Sequence, residues 1–212
     1  MSENLGKDEY LRFSLELRGK FNPSILDKVW MAGNKLFSDE EVQSFKNIMF
    51  TDEQSYFESQ FFQFTCNRER LSVKSHSLAT SSITVKFVVA LLALLNHTRI
   101  TTSITSLYGH FIPGVDLESF FQQFNIGQIG SLAIDKFEDY IFHSDGKVIR
   151  IGRCGSDDSH LIIHIQSKTK FDSLIETSPV IGHISENDNI HMDYFNLMAE
   201  ILKTIENGKM YS

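Results

Sequence analysis

Hydrophobic and polar residues alternate most clearly near the start of the chain, over residues 10–18. Leu11, Phe13, Leu15 and Leu17 fall at every second position, and the residues between them are charged or polar. Successive side chains of a strand point to opposite faces, so this period of two predicts a strand with one buried and one solvated face. Such strands are typical of antiparallel sheets.

The longest run of predicted elements lies between residues 58 and 113. The pattern predicts a strand over 58–66, a polar turn over 67–70, a strand over 71–74, a helix over 83–95 and a strand over 99–111. The helix is apolar nearly all round, which predicts burial on most of its sides. This segment specifies a scaffold, and its residues indicate no reaction.

Less regular elements flank this segment on both sides. Short helices are predicted over residues 24–31, 39–47 (with Ser38 at its N-terminus) and 116–124. Strands are predicted over residues 128–134, 147–153, 159–166 and 180–184, with Asp145-Gly146 as a hairpin signal. The last helix carries an apolar stripe made of Tyr194, Phe195, Met198, Ile201, Leu202 and Ile205.

Clustered strands with two long helices predict an α+β fold, in which helices pack on one face of antiparallel sheet. The order of elements is similar in the two parts of the chain, although no residue-level repeat is visible. We therefore expect an N-terminal α+β half over residues 1–125 and a C-terminal α+β half over 126–212, joined in one compact unit. Two ferredoxin-like halves are one arrangement that fits this order.

Composition and charge narrow the class of protein. The formal net charge is −7, which repels the phosphate backbone and disfavours binding to nucleic acid overall. The longest apolar run, residues 87–95, has nine residues, whereas a membrane span needs about twenty. The N-terminal residues contain no apolar signal core. We therefore expect a cytoplasmic protein without a membrane segment.

Residues able to bind a metal or act as nucleophiles are scattered. Cys66 and Cys154 form no CxxC pair, which argues against a cysteine zinc site. His160 and His164 are the most metal-like pair, but on the predicted strand their imidazoles lie about 13 Å apart, too far for one metal ion. The sequence therefore predicts no catalytic residue, no metal and no cofactor.

One candidate partner interface lies in the least regular segment and consists of Trp30, Phe37 and Phe45. Aromatic residues are enriched in the cores of protein interfaces, so these rings are candidates for partner contact. The more ordinary role for the same rings is to cover one end of the sheet.

One candidate nucleic-acid contact lies on the predicted hairpin and consists of Arg68, Arg70 and Lys74. These three basic residues are close together in the sequence and form a local basic patch on an acidic protein. The more ordinary role is a solvated hairpin tip, because such turns are usually exposed.

Several short segments between residues 58 and 124 are distinctive. They are the hairpin tip Arg68-Glu69-Arg70-Leu71-Ser72-Val73, the link over 75–82, the helix end Leu94-Leu95-Asn96-His97-Thr98 and the strand end Tyr108-Gly109-His110-Phe111, with residues 33–41 upstream. On these residues, which span roughly half of the chain, the protein resembles a scattered family of uncharacterised bacterial proteins. The resemblance implies an accessory protein of variable genome regions, some near defence genes. It implies a fold and no activity.

We therefore expect a non-enzymatic interaction protein, an adaptor or regulatory subunit of a cytoplasmic bacterial complex in antiviral defence, bound to a protein partner or a second copy. Two alternatives stay open. The first is an RNA-binding or RNA-processing protein with paired ferredoxin-like halves, the general layout of CRISPR repeat-processing proteins but without their glycine-rich C-terminal loop. The second is a small metal-dependent hydrolase or nuclease that uses His160, His164 or His191.

Overall fold

A computed structural model describes residues 10–111, 139–144, 146–154, 160–186 and 190–206. Its strands are β1 (Tyr10–Lys20), β2 (Lys46–Phe50), β3 (Gln54–Glu58), β4 (Phe62–Asn67), β5 (Arg70–Ser75), β6 (Arg99–Phe111), β7 (Asp139–Ser144), β8 (Lys147–Cys154) and β9 (His160–Ile175). Its α-helices are α1 (Lys28–Gly33), α2 (Asp39–Gln43), α3 (Ser81–Leu94), α4 (Thr177–Glu186) and α5 (Ile190–Glu206). Short 3-10 helices cover Pro23–Ile25 and Leu78–Thr80.

The strands are hydrogen-bonded in the order β2-β3-β4-β5-β1-β6-β9-β8-β7. The β2–β3, β3–β4, β4–β5, β1–β5 and β7–β8 pairs are antiparallel. This confirms the predicted mixture of antiparallel sheet and helices, whereas the ferredoxin-like halves stay a prediction. Of the helices in the described ranges, none combines the length and apolar content that crossing a membrane requires.

The chain divides into two compact units. Unit A consists of Arg12–Ser106 and Ser167–His191, and unit B consists of Met1–Leu11, Leu107–Gln166 and Met192–Ser212. The predicted boundary between residues 125 and 126 lies outside the described residues. The two units interleave along the chain and do not follow one another.

The core of unit A is built around an aromatic cluster of Phe37, Phe45, Phe57, Phe62, Phe64 and Phe87. Alternate residues of β4 are buried, so Phe62 and Phe64 point to the same side of the sheet. Phe57 of β3 stacks on Phe64 with ring centroids 4.9 Å apart, and Phe87 of α3 lies 4.6 Å from Phe62. The nearly all-apolar α3 therefore covers this side of the sheet, as its sequence predicts.

The core of unit B contains the apolar stripe of α5. Tyr194, Met198 and Leu202 are buried, which confirms the predicted stripe at these positions. A side chain at Gly109 of β6 would approach the sulfur of Met198 to 2.6 Å. The absence of a Cβ at Gly109 thus lets α5 lie close against the strand.

The predicted strand over residues 58–66 is confirmed from Phe62 onward as β4, but Glu58 is the end of β3 and a turn separates the two strands. The Ser59 hydroxyl accepts hydrogen bonds from the backbone N–H groups of Phe61 and Phe62. The N–H of Ser59 also bonds to the carbonyl of Phe62 at 2.9 Å. A serine side chain therefore closes a turn inside a run that reads as continuous strand.

Two further predictions differ from the structure. The predicted strand over residues 180–184 is helix α4, in which Val180 and Ile184 are buried one turn apart. Pro179 sits in the first turn of α4, where proline is tolerated, and it was the missed signal for a helix start. The helix predicted over 39–47 ends at Gln43, although its predicted N-cap Ser38 is confirmed by a capping box with Glu41. The elements predicted over 116–124 and 128–134 lie outside the described residues.

Candidate functional site

The most distinctive surface of unit A is the side of the sheet opposite the aromatic cluster, called the outer face below. On β1, Ser14, Glu16 and Arg18 alternate with the buried Phe13, Leu15 and Leu17, so the first three point to the outer face. The register of β1 and β5 sets Ser14 opposite Lys74, Glu16 opposite Ser72 and Arg18 opposite Arg70. Residues from opposite ends of a 60-residue stretch therefore share one surface.

Two arginines of the outer face share one carboxylate. Arg18 Nε lies 3.0 Å from Glu16 Oε1, and Arg70 Nη1 lies 3.7 Å from Glu16 Oε2. Side-chain exposure is 56% for Arg18 and 48% for Arg70 but only 21% for Glu16, so solvent reaches the guanidinium groups more easily than the carboxylate. Because one negative charge faces two positive charges, this group keeps a net positive charge.

Strand β9 adds two lysines to the outer face. The Thr169 hydroxyl lies 3.1 Å from Nε2 of His183, and the Phe171 ring lies edge-on to the same histidine. His183 belongs to α4, which packs against α3 on the helix-covered side of the sheet. Since side chains alternate along a strand, the exposed Lys168 and Lys170 point to the outer face.

The outer face between these charges is lined by small hydroxyl residues. The hydroxyls of Ser14 and Ser106 are 3.3 Å apart and join β1 to β6. Ser72, Thr102 and Ser106 are each less than 10% exposed, and by strand alternation the buried Ile104 lies on the same face between the last two. Because the hydroxyl side chains are short, the longer basic side chains stand above them. The centre of the outer face is therefore shallow, and basic residues surround it.

A hydrogen-bonded network occupies the outer face near β2. The Tyr56 hydroxyl donates to Glu58 at 2.6 Å, and Gln63 donates to the Tyr56 oxygen at 2.6 Å. Burial and the bond to Glu58 raise the pKa of Tyr56, while the bonds from Tyr56 and Asn47 lower the pKa of Glu58. These shifts keep Tyr56 protonated and Glu58 ionised, so the network holds its protons and is suited to structure more than to proton transfer.

The structure corrects the predicted partner interface. Phe37 and Phe45 are buried, with ring centroids 4.9 Å apart, and belong to the aromatic cluster. Their role is the cover over the sheet, because a partner cannot reach side chains at this depth. Trp30 is only half-buried in α1. Four exposed apolar residues lie just before α1, within it and on β2. They are Ile25, Val29, Ile48 and Met49, and together they are called the apolar rim below.

The predicted basic patch is brought together only in part. Arg70 and Lys74 lie on the outer face, but the side chain of Arg68 forms an ion pair with Glu53 at 2.7 Å. Arg68 also lines a shallow depression of about 420 Å³ together with Pro23 and Asp52. The sequence analysis missed Arg18, Lys168 and Lys170. The sequence signal for these three residues was their alternating position along a strand. Spacing in the sequence does not show which strands are neighbours, so it does not show that the three residues share a surface.

The histidines do not form a metal site in the described part of the chain. Strand β9 confirms the extended backbone between His160 and His164, whereas the side chains of His160 and His191 lie outside the described residues. Burial and the nearby Arg150 lower the pKa of His164, whose ring lies 6.4 Å from that of Tyr108. Among the described residues, no three metal-binding side chains converge.

Cys66 is a core residue of unit A. Burial raises the pKa of its thiol to about 12, so the thiolate needed for a nucleophile does not form near neutral pH. The side chain of Cys154 lies outside the described residues.

Comparison with protein-family models and with curated proteins finds no match to this chain.

Proposed function

We propose that this protein acts by binding, as an adaptor or regulatory subunit of a cytoplasmic bacterial complex, and that a protein partner covers the apolar rim. The observation that carries this proposal is the exposure of Val29 at 80%, Met49 at 50% and Ile48 at 42% within one segment of unit A. Single exposed apolar residues are ordinary on protein surfaces, but a group of them marks an interaction site.

The two parts of the apolar rim belong to the same end of the sheet. The Ser55 hydroxyl of β3 donates a 2.6 Å hydrogen bond to the carbonyl of Pro23, which holds the 3-10 helix before α1 against β3. Ser55 is also the register partner of Phe50 on β2. The chain around Ile25 and Val29 and the strand that carries Ile48 and Met49 thus both attach to β3.

Strand β2 supports side-chain docking more than extended strand pairing. It is the first strand in the order of the sheet, so one of its edges faces no neighbouring strand in the described part of the chain. The register is interrupted between Lys46 and Met49, and Asn47 has a φ of 50°. Irregularities and lysines at an edge discourage pairing with a foreign strand. We therefore expect the partner to cover Val29, Ile48 and Met49 mainly through apolar side chains.

The test is purification of the tagged protein from its own host after nuclease treatment, with the mass of the complex measured by light scattering. Val29→Asp and Met49→Asp are compared with Ile83→Asp, which changes an exposed apolar residue of α3 in the same way. We expect a protein partner or second copy in fixed stoichiometry with wild type and Ile83→Asp. We expect its loss with Val29→Asp and Met49→Asp.

Two results contradict the proposal. A wild-type protein that is recovered as a monomer without a stoichiometric protein partner removes the basis for an adaptor. A partner that all three variants retain shows that binding occurs elsewhere on the surface. Thermal unfolding of each variant separates loss of binding from loss of folding.

A further inference from the structure

We propose that the outer face of unit A binds single-stranded RNA, mainly through the phosphate backbone. The residues assigned to this surface are Arg18, Arg70, Lys74, Lys168 and Lys170, around the hydroxyl group of Ser14. This inference goes beyond the adaptor function, because the apolar rim takes no part in it.

The charge of the outer face is opposite to that of the whole protein. The chain has a formal net charge of −7, yet the described strands of unit A present these five basic side chains on a face with two carboxylates, Glu16 between the arginines and Glu58 farther toward β2. Acidic residues are concentrated elsewhere, for example Asp39, Glu40 and Glu41 in the first turn of α2. A concentrated basic surface on an acidic protein attracts a polyanion locally while the rest of the molecule repels it.

The arginine pair is arranged to receive a phosphate. Glu16 accepts a hydrogen bond from Arg18 and forms a longer ion pair with Arg70 on the adjacent strand, so it holds both guanidinium groups near one point. Guanidinium groups match phosphate geometry and remain charged at all physiological pH values. Since Glu16 neutralises only one of the two, a phosphate gains a charge-assisted contact with arginines that are already positioned.

The lysines extend the charge across the sheet. Lys74 lies four residues from Arg70 on β5, about 13 Å along the strand. The order β5-β1-β6-β9 places Lys168 and Lys170 three strand spacings from β5, or about 14 Å. Among the described residues, no acidic side chain forms an ion pair with Lys74, Lys168 or Lys170. These charges are therefore available to a ligand.

The dimensions of the surface favour a single strand of RNA. A surface about 13 by 14 Å accommodates a few nucleotides of one strand but not the grooves of a duplex. The half-buried Ser14 hydroxyl at the centre of the surface is able to donate to and accept from a ribose 2′-hydroxyl group or an unpaired base edge. The outer face shows few aromatic rings, so we expect binding to depend on charge more than on base stacking.

The test is fluorescence polarisation with a labelled 20-nucleotide oligouridylate. We expect at least a tenfold loss of affinity in the double variant Arg18→Glu/Lys74→Glu. The control Lys35→Glu/Lys86→Glu changes the net charge equally at exposed positions away from the outer face, and we expect less than a twofold change. A milder variant, Lys168→Gln/Lys170→Gln, tests the β9 side of the surface without reversing charge, and we expect a threefold loss.

Salt dependence measures the phosphate contacts. Each neutralised phosphate of a single strand contributes about −0.7 to the slope of log affinity against log salt, so three to five contacts give a slope of roughly −2 to −3.5. The Arg18→Glu/Lys74→Glu variant has a slope closer to zero, and the control retains the wild-type slope.

Several outcomes overturn the inference. One is the absence of wild-type binding at low salt, and another is an equal loss in the control variant, which reports net charge alone. Tighter binding of a 20-nucleotide oligothymidylate or of duplex RNA excludes single-stranded RNA as the preferred ligand. A polyglutamate peptide of the same length that competes as well as RNA shows a surface for acidic protein.

Discussion

The two faces of the sheet in unit A are made by the same strands and have opposite chemistry. On β4, Phe62, Phe64 and Cys66 are buried on the helix-covered side, whereas Gln63 and Thr65 between them belong to the outer face. The helix-covered side excludes water and is held by packed rings. On the outer face the short hydroxyl side chains lie close to the backbone, and the charged groups of the longer side chains are exposed to solvent. Apolar packing and surface charge are thus separated on alternate residues of the same strands.

This comparison explains why the most aromatic residues were poor candidates for a binding site. Six of the 18 phenylalanines in the chain form the aromatic cluster that fills one side of unit A. Packed aromatic pairs stabilise a core beyond their burial alone. Side chains that point away from the core stay in contact with solvent and are able to carry charge. The basic residues of the outer face occupy such positions.

The largest expected difference between the two faces is in the free energy of unfolding that is lost when adjacent residues, one on each face, are replaced by alanine. The Phe57 ring stacks 4.2 Å from that of Phe45 and is fully buried, so Phe57→Ala lowers the free energy of unfolding by about 3–5 kcal/mol. The next residue back, Tyr56, faces outward, and Tyr56→Ala costs about 1 kcal/mol. Urea denaturation of both variants measures the difference. Equal losses would show that both faces contribute alike to stability.

A smaller effect is expected at high pH, from the thiol of Cys66. Its folded pKa of about 12 lies above its ordinary value of 9.0, so the unfolded chain loses this proton first as pH rises. The stabilising contribution is complete below pH 9 and is lost as pH rises toward 12. Relative to Cys66→Ala, wild type loses on the order of 2 kcal/mol between pH 8 and pH 11. If the free energy of unfolding of wild type and Cys66→Ala changed with pH in the same way, the raised pKa of a buried Cys66 thiol would be contradicted.

The smallest effect is expected at Glu16 on the outer face. Both of its ion pairs are partly exposed, and such pairs contribute about 0–1 kcal/mol, so Glu16→Gln leaves the unfolding midpoint in urea nearly unchanged. The substitution removes the central negative charge, and the proposed RNA affinity rises as a result. Denaturation and polarisation on the same sample test both statements. A large loss of stability would mean that Glu16 organises the sheet itself.

Individual elements with strong patterns were predictable from the sequence. The alternation of β1, the turn at Gly146 before β8, and the apolar helix α3 all occur at the predicted places, whereas no strand was predicted at the position of β7. Predictions were wrong where one side chain overrides the local pattern. At Ser59 a hydroxyl closes a turn inside an apparent strand. At α4, residues of strand type form a helix whose buried positions pack in unit A.

The candidate surfaces were predictable only as fragments. Arg70 and Lys74 are close in the sequence and share a strand face, so the local pattern was sufficient to pair them. The sequence also placed Trp30, Phe37 and Phe45 in one segment, but only burial distinguishes core rings from exposed neighbours. Val29, the most exposed large apolar residue among those described, has no sequence signal that separates it from Met31, which is buried two positions later.

The sequence by itself determined which residues alternate along each strand, and therefore which residues share a face within that strand. Only the tertiary structure decided which strands are neighbours, because pairing depends on long-range packing and register. Arg18 lies opposite Arg70 through the β1–β5 register, and the order β5-β1-β6-β9 brings the lysines of β9 to the same face. A charged surface made from four strands is a property of that order, and local patterns carry no information about it.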